Sequence, residues 1–302
     1  MQTADVVISR AWETGLAPDP ALSLAAWADA HRVLTSVTSA EPGRWRTART
    51  PYLAAVMDAL SPAQRAERVV LMAGAQIGKT ETGLNWVGYV IHRAPGPMLL
   101  VQPTVETAKR VSKQRLDALI ESVPALGERV KDPRSRDSGN TQLMKEFPGG
   151  VLILTGANSA VGLRSMPVRY LFLDEVDGYP GDAANEGDPV ALAIQRTATF
   201  SNRKIYLCST PTIKGFSRIE AAYLESDQRR FLLPCDHCGE FSARRWQDAR
   251  LSPLEPVLTL ADLGGDRPRA ARGQGGPGPA QGLGQHQAGR DLGGARWGVA
   301  RC

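Results

Sequence analysis

An apolar run that breaks into a glycine-containing loop and restarts as a helix at Lys-Thr leaves few folds open. Residues 68–81, RVVLMAGAQIGKTE, are such a stretch. Val69 to Met72 reads as a buried strand, Gly74-Ala75-Gln76-Ile77-Gly78 as the loop, and Lys79-Thr80 as the start of a helix. In that geometry the loop N–H groups and the helix N-terminus face an anion. Lys79 adds a point charge, and the Thr80 hydroxyl is placed to ligate Mg²⁺. The spacing is a variant of the nucleoside triphosphate loop. Where G-x-x-x-x-G-K-[ST] puts its first Gly, this chain has Ala73, and Gly74 comes one place late. A Gly-Lys-Thr at a helix start is weak alone, so the rest of the chain must supply its partners.

The remaining sequence reads as strands alternating with helices. A helix is expected near Leu22–Leu34, then a Ser/Thr/Pro/Gly stretch whose one bulky group, Trp45, sits between Arg44 and Arg46. That Trp either meets a base or DNA or covers the domain edge. A short helix over Tyr52–Leu60 leads into the loop strand, and a helix over 79–92 follows the loop. Further strands are expected at 98–104, 151–157, 169–177 and 204–212. Helix 105–120 turns Val105, Ala108, Val111, Leu116 and Leu119 inward and carries Lys109, Arg110, Lys113 and Arg115 on its other side. That side is a solvated face or a phosphate-backbone surface. The alternation predicts an α/β fold with a doubly wound, mostly parallel sheet and helices on both faces.

Composition narrows the classes. With 42% hydrophobic and 22% charged residues, the 302-residue chain has material for a globular core. A net charge of +5 and pI near 9.2 are compatible with a nucleic-acid partner. Four Cys without regular pairing argue against a secreted disulfide scaffold. No signal peptide or membrane-length apolar run is visible, so a soluble protein with no membrane partner is expected.

A triphosphate loop needs an acid at the end of another buried strand. Tyr170-Leu171-Phe172-Leu173 runs into Asp174-Glu175. Asp174 at the strand tip is placed to hold Mg²⁺, and Glu175 to polarise an attacking water. Another strand ends in Ser209-Thr210, small hydroxyls able to sense a γ-phosphate or simply to cap a turn. Arg164 is a candidate to neutralise transition-state charge, or else a surface or DNA-contacting arginine. Asp188 before Pro189 reads as a structural helix cap.

Taken together, GAQIGKTE, LVQPT, DPRSRDSGNT, TGANSAVGLRSMPVRYLFLDEVD, EGDP and STPT resemble the ATPase domain of the phage terminase large subunit, lambda GpA type, from about Trp45 to Cys238. The resemblance implies an ASCE-type P-loop motor that uses ATP and Mg²⁺ to pump viral DNA into an empty procapsid. It implies Lys79 and Thr80 as phosphate and Mg²⁺ residues, Asp174 as the Walker B acid, Glu175 as the catalytic carboxylate, and Ser209 and Thr210 in a coupling motif. The implied partners are double-stranded viral DNA, a terminase small subunit, the portal of the procapsid and further copies of the chain, all in the host cytoplasm.

The chain departs from that pattern toward its end. Cys235 and Cys238 have the spacing of half a zinc ribbon, but no second C-x-x-C completes it, so no zinc site is expected. Twelve of the 30 Gly follow Leu263 in a tract with little to bury, which predicts disorder and suggests a frameshifted reading frame. The expected organisation is a helical and linker segment at 1–44, an ATPase domain at 45–232, an incomplete zinc-ribbon-like linker at 233–246 and a low-complexity tail at 247–302. The family's nuclease domain is expected to be missing. Two rivals remain open: a helicase-like ATPase, and a non-catalytic DNA-binding remnant.

Overall fold

The computed structural model describes residues 22–36, 39–131 and 139–234, together with Trp12 and three short strands at 241–242, 259–263 and 296–299. Its frame is one sheet. In chain order, β1 (Val33–Leu34) and β2 (Gly43–Arg44) form a separate antiparallel pair. The main sheet begins with β3 (Arg68–Met72) and β4 (Met98–Gln102), then β5 (Met144–Phe147), β6 (Gly150–Gly156), β7 (Tyr170–Asp174) and β8 (Lys204–Ser209). It is completed by β9 (Arg229–Pro234), β10 (Phe241–Ser242), β11 (Thr259–Leu263) and β12 (Arg296–Val299). The spatial order is β10-β9-β11-β3-β8-β7-β4-β6-β5, with β12 on β9. The five central strands, from β3 to β6, are all parallel.

Parallel strands need crossovers, and these are helical. The helices in chain order are α1 (Leu24–His31) and α2 (Pro51–Leu60) ahead of β3, then α3 (Lys79–Arg93), α4 (Val105–Val111), α5 (Asp117–Ser122), α6 (Pro124–Gly127), α7 (Ala160–Leu163) and α8 (Pro189–Gln195) between the parallel strands, and α9 (Arg218–Leu224) after β8. The two-residue period of the strands sorts the core into two layers. Val69, Leu71, Met98, Leu100, Leu152, Leu154, Tyr170, Phe172 and Tyr206 face α1 to α6. Val70, Leu99, Val101, Leu171, Leu173, Ile205 and Leu207 face α7 to α9. The doubly wound sheet follows from strands that are apolar on both faces.

Several expectations are revised. The segment around 22–34 contributes to the core, with Leu24, Trp27 and Ala28 fully buried in the same layer as the loop strand. Of the two readings open for Trp45, covering the domain edge fits its place: it is buried in that layer, with its indole N–H on Thr47 Oγ1 at 3.0 Å. Helix 105–120 is interrupted by a π-turn at Ser112–Leu116. Ser112 and Leu116 at the two ends of this turn are both buried, and the Ser112 hydroxyl donates to the Gln142 carbonyl at 2.5 Å. The hairpin β5–β6 was unanticipated. Its signal was Pro148-Gly149, where Gly149 takes φ +83° in the turn.

Two strands come from the tail expected to be unstructured. β11 runs antiparallel to β3, Thr259 opposite Met72 and Leu263 opposite Arg68, and β12 pairs with β9. β3 presents a row of backbone donors and acceptors on the side away from β8, and pairing it needs backbone rather than apolar side chains. Composition alone therefore underestimates such a segment. Cys235 and Cys238 lie outside the described residues.

Candidate active site

The strand register brings the chemistry together. Met72 pairs with Ser209, Asp174 with Cys208, and Val101 with Leu173, so β3, β8, β7 and β4 end level at their C-terminal tips. In an open parallel sheet that edge is where ligands bind. The strand carrying Ser209 lies between the loop strand and the acidic strand. Its hydroxyls therefore stand between the phosphate loop and the acids.

The loop from Gly74 to Gly78 wraps back to the N-terminus of α3. Gly78 caps that helix at φ +89°, and a Cβ there would sit 2.9 Å from Leu53 Cδ1. The left-handed backbone favours glycine, and a larger residue would also have to displace the Leu53 side chain. Gln76 also takes a left-handed backbone, φ +60°. The misplaced first glycine has a simple cause. Ala73 has no positive φ, is buried, and donates its N–H to the Ser209 carbonyl at 3.2 Å. It extends the strand rather than opening the loop, and Gly74 is the first loop residue.

Lys79 is only 4% exposed, and a buried ammonium must be compensated. It donates to the Gly74 carbonyl at 2.8 Å and Thr210 Oγ1 at 2.9 Å, and lies 3.7 Å from Glu175 Oε1. Sequence-predicted Lys79, Thr210 and Glu175 thus converge. Ser209 Oγ is 3.4 Å from Glu175 Oε2. Glu175 itself sits at φ +53°, a backbone that costs a non-glycine residue about 1 kcal/mol or more. The left-handed turn lifts its carboxylate out of the strand pleat, where it is 43% exposed beside the lysine.

Asp174, at the tip of β7, is buried and fully engaged. Thr80 Oγ1 lies 3.2 and 3.1 Å from its two oxygens, Gln102 Nε2 donates to Oδ2 at 2.9 Å, and the Cys208 thiol donates to Oδ1 at 3.1 Å. Burial first, and then the Asp174 charge, push the Cys208 thiol well above its ordinary value, so it stays protonated and can donate. The floor is closed by two phenols that burial holds protonated. Tyr179 OH donates to the Val101 carbonyl at 2.9 Å, and Tyr206 OH to the Lys79 carbonyl at 3.1 Å. Gln102 and Cys208 were missed as site residues. The signal for Gln102 was a lone polar residue ending the apolar run MLLV; Cys208, inside the apolar run IYLC, gave none.

Arg164 is not gathered with these groups. It follows α7 and pairs with Glu186 Oε1 at 2.5 Å, while 47% exposed. Asp188 does cap α8, accepting from Ala191 N–H at 3.0 Å. On the basic face of α4 and its π-turn, Lys109 pairs with Glu106 and Arg115 approaches Glu81, leaving Arg110 and Lys113 exposed.

One hydroxyl and one carboxylate side by side, Thr80 and Asp174, are the small oxygen set a protein offers Mg²⁺ when phosphates and water complete the shell. The residues present fit that ion. Among the described residues there is no group of three or more His, Cys, Asp or Glu that could hold a metal by itself. Also among them, no helix is long and apolar enough to cross a membrane.

Comparison with known proteins gives the following. Residues 39–271 match the family described as phage terminase large subunit gpA, ATPase domain. The match runs past Trp246, where the composition changes. A curated relative, the terminase large subunit of Enterobacteria phage P21, is 32% identical over 221 residues. That alignment covers 72% of this chain and 34% of the relative, so the chain spans about a third of the relative's length. The crystal structure of the HK97 bacteriophage large terminase superposes with a TM-score of 0.52 at 14% identity. It covers 67% of this chain and 41% of that one. The Thermus phage P74-26 large terminase ATPase domain is similar at 20% identity, with a TM-score of 0.36 over 52% of this chain and 65% of that one.

Proposed function

Since the chain belongs to the phage terminase large subunit family, gpA ATPase domain, we propose that it is the ATP-hydrolysing motor part of a terminase that drives viral DNA into the procapsid. The observation that carries this reading is the convergence of Lys79, Thr80, Asp174, Glu175 and Thr210 at one edge of the sheet. In the proposed cycle the triphosphate takes the Lys79 ammonium from Thr210 and Glu175. The loop N–H groups and the N-terminus of α3 hold the phosphate oxygens. Thr80 and Asp174 would hold Mg²⁺, which when bound would offset charge on the phosphates. Gln102 and the Cys208 thiol fix the orientation of Asp174. Glu175, freed from Lys79, accepts a hydrogen bond from the attacking water and draws off its proton. Arg164 reaches the phosphates in this reading only by leaving Glu186.

The substrate polymer would be double-stranded viral DNA, met through exposed basic groups such as Arg110 and Lys113. The further partners would be a terminase small subunit, the portal of the procapsid and additional copies of the chain, in the host cytoplasm. Two substitutions test the chemistry. Lys79→Ala should abolish ATP binding, because the phosphates lose their fixed cation. Glu175→Gln should bind ATP normally and lose hydrolysis, because the carboxylate acts on the water and not on the bound ground state. Equal turnover by Glu175→Gln and the parent protein would show that another group is the base.

A further inference from the structure

Asp177 stands two residues beyond Glu175, in the single helical turn Val176–Gly178, and touches none of the phosphate-loop groups described above. Its carboxylate instead gathers three donors from one downstream segment. Oδ2 accepts from the Thr212 N–H at 3.0 Å and the Thr212 hydroxyl at 3.1 Å. Oδ1 accepts from the Ile219 N–H at 2.8 Å, in the first turn of α9. That N–H has no partner within its own helix, and a negative charge at a helix N-terminus is favourable. Between the two attachment points lies an exposed loop carrying Ile213, 67% exposed, and Phe216, 86% exposed. One carboxylate therefore pins both ends of the loop that leaves the ATP site.

The other end of the connection is the catalytic carboxylate. The Asp177 N–H donates to Ser209 Oγ at 3.2 Å. The Ser209 hydroxyl has one hydrogen and two acceptors in reach, Glu175 Oε2 at 3.4 Å and the Thr210 carbonyl at 3.2 Å. When Glu175 turns to the attacking water, that hydrogen is left with Thr210. The Ser209 oxygen then reorients against the Asp177 N–H. The path from Glu175 through Ser209 and Asp177 ends at both attachment points of the loop and at α9, which leads into β9.

We propose that Asp177 is the positioning residue that passes the state of Glu175 and Ser209 to loop 210–217 and α9. The proposal rests on the ATPase reading and adds the route by which the site moves the rest of the chain. Asp177 takes part in no bond made or broken.

The test is amide hydrogen exchange on the full chain, reading peptides that cover 210–219 without nucleotide, with ADP and with a non-hydrolysable ATP analogue. In the parent protein the exchange rates should differ between the ATP-analogue and ADP states by at least about fivefold, the low end of ordinary site-to-site coupling. Asp177→Asn offers one acceptor oxygen to three donors, so this difference should collapse. Its nucleotide Kd should stay within about threefold while kcat falls on the order of 10- to 100-fold, as expected when a loop is misplaced without losing binding contacts. Thr212→Ala removes only the hydroxyl donor and should reduce the difference in part, and it decides the matter if Asp177→Asn does not fold. Loop exchange that keeps its full nucleotide dependence in the folded variants overturns the role of Asp177 alone. Absence of ATP binding by the parent protein would instead remove the ATPase reading beneath it.

Discussion

Gly83 offers a direct test of how the sheet and α3 together set the geometry of the ATP site. It lies one turn after Lys79, buried against β7. A Cβ built there would fall 2.0, 2.2 and 2.7 Å from three ring carbons of Phe172. The ring cannot swing away, because it is fully buried and stacked on Tyr206 at 5.2 Å between centroids. Ordinary contact begins near 3.4 Å, so α3 must retreat from β7 by about 1.4 Å in Gly83→Ala. Overpacking of this kind costs about 1–3 kcal/mol, offset by about 1 kcal/mol from the better helix propensity of alanine. The net loss should be about 2 kcal/mol at most, measurable by urea denaturation. Catalysis should suffer more. Thr80 sits on α3 and Asp174 two residues beyond Phe172, and their 3.1 Å approach opens by the same displacement. A misplacement of 1 Å in a catalytic array costs on the order of 100-fold in rate, so kcat for ATP should fall by about that factor. Adding Phe172→Leu should restore part of the rate, because it makes room for the new methyl group. A Gly83→Ala protein with parental kcat and stability would refute the claim that this contact spaces the site.

Four further outcomes are expected. Burial pushes the Tyr170 phenol up to about 12, so stability from keeping it neutral is intact below its ordinary 10.0 and is lost as pH rises from there toward 12. Tyr170→Phe should make denaturation less sensitive to alkali over that range and cost nothing at pH 7, because the buried hydroxyl has no hydrogen-bond partner among the described residues. Arg32, 2% exposed, binds Glu81 at 2.8 Å and Asn85 at 3.1 Å, so Arg32→Ala should cost about 3 kcal/mol or more in chemical denaturation. Breaking the exposed Arg49–Glu41 pair should cost under about 1 kcal/mol. If Arg110 and Lys113 contact DNA phosphates, replacing both with alanine should lower the slope of log affinity against log salt by about 2. An unchanged slope would remove that face from DNA binding.

What the sequence determined by itself was local and periodic. The apolar runs around Val69, Leu100, Leu154, Leu171 and Leu207 could only be strands covered on both faces, because a residue period of two puts hydrophobic side chains on each side. Asp174, Glu175, Ser209 and Thr210, at the ends of two of those runs, were legible because polar groups after a buried strand demand a use, and Lys79 and Thr80 because they open a helix after a glycine loop. Strand order and level decided the rest. Nothing local says that β8 enters between β3 and β7, yet that insertion sets Thr210 against Lys79 and Cys208 against Asp174. Gln102 and Asp177 are ordinary residues in the sequence and acquire meaning only from neighbours 72 and 35 positions away. Trp45 shows the converse, an exposed-looking aromatic between two arginines that the fold buries. Hydrogen bonds between distant segments depend on three-dimensional register, and register is fixed by packing of the whole sheet rather than by any one stretch of chain.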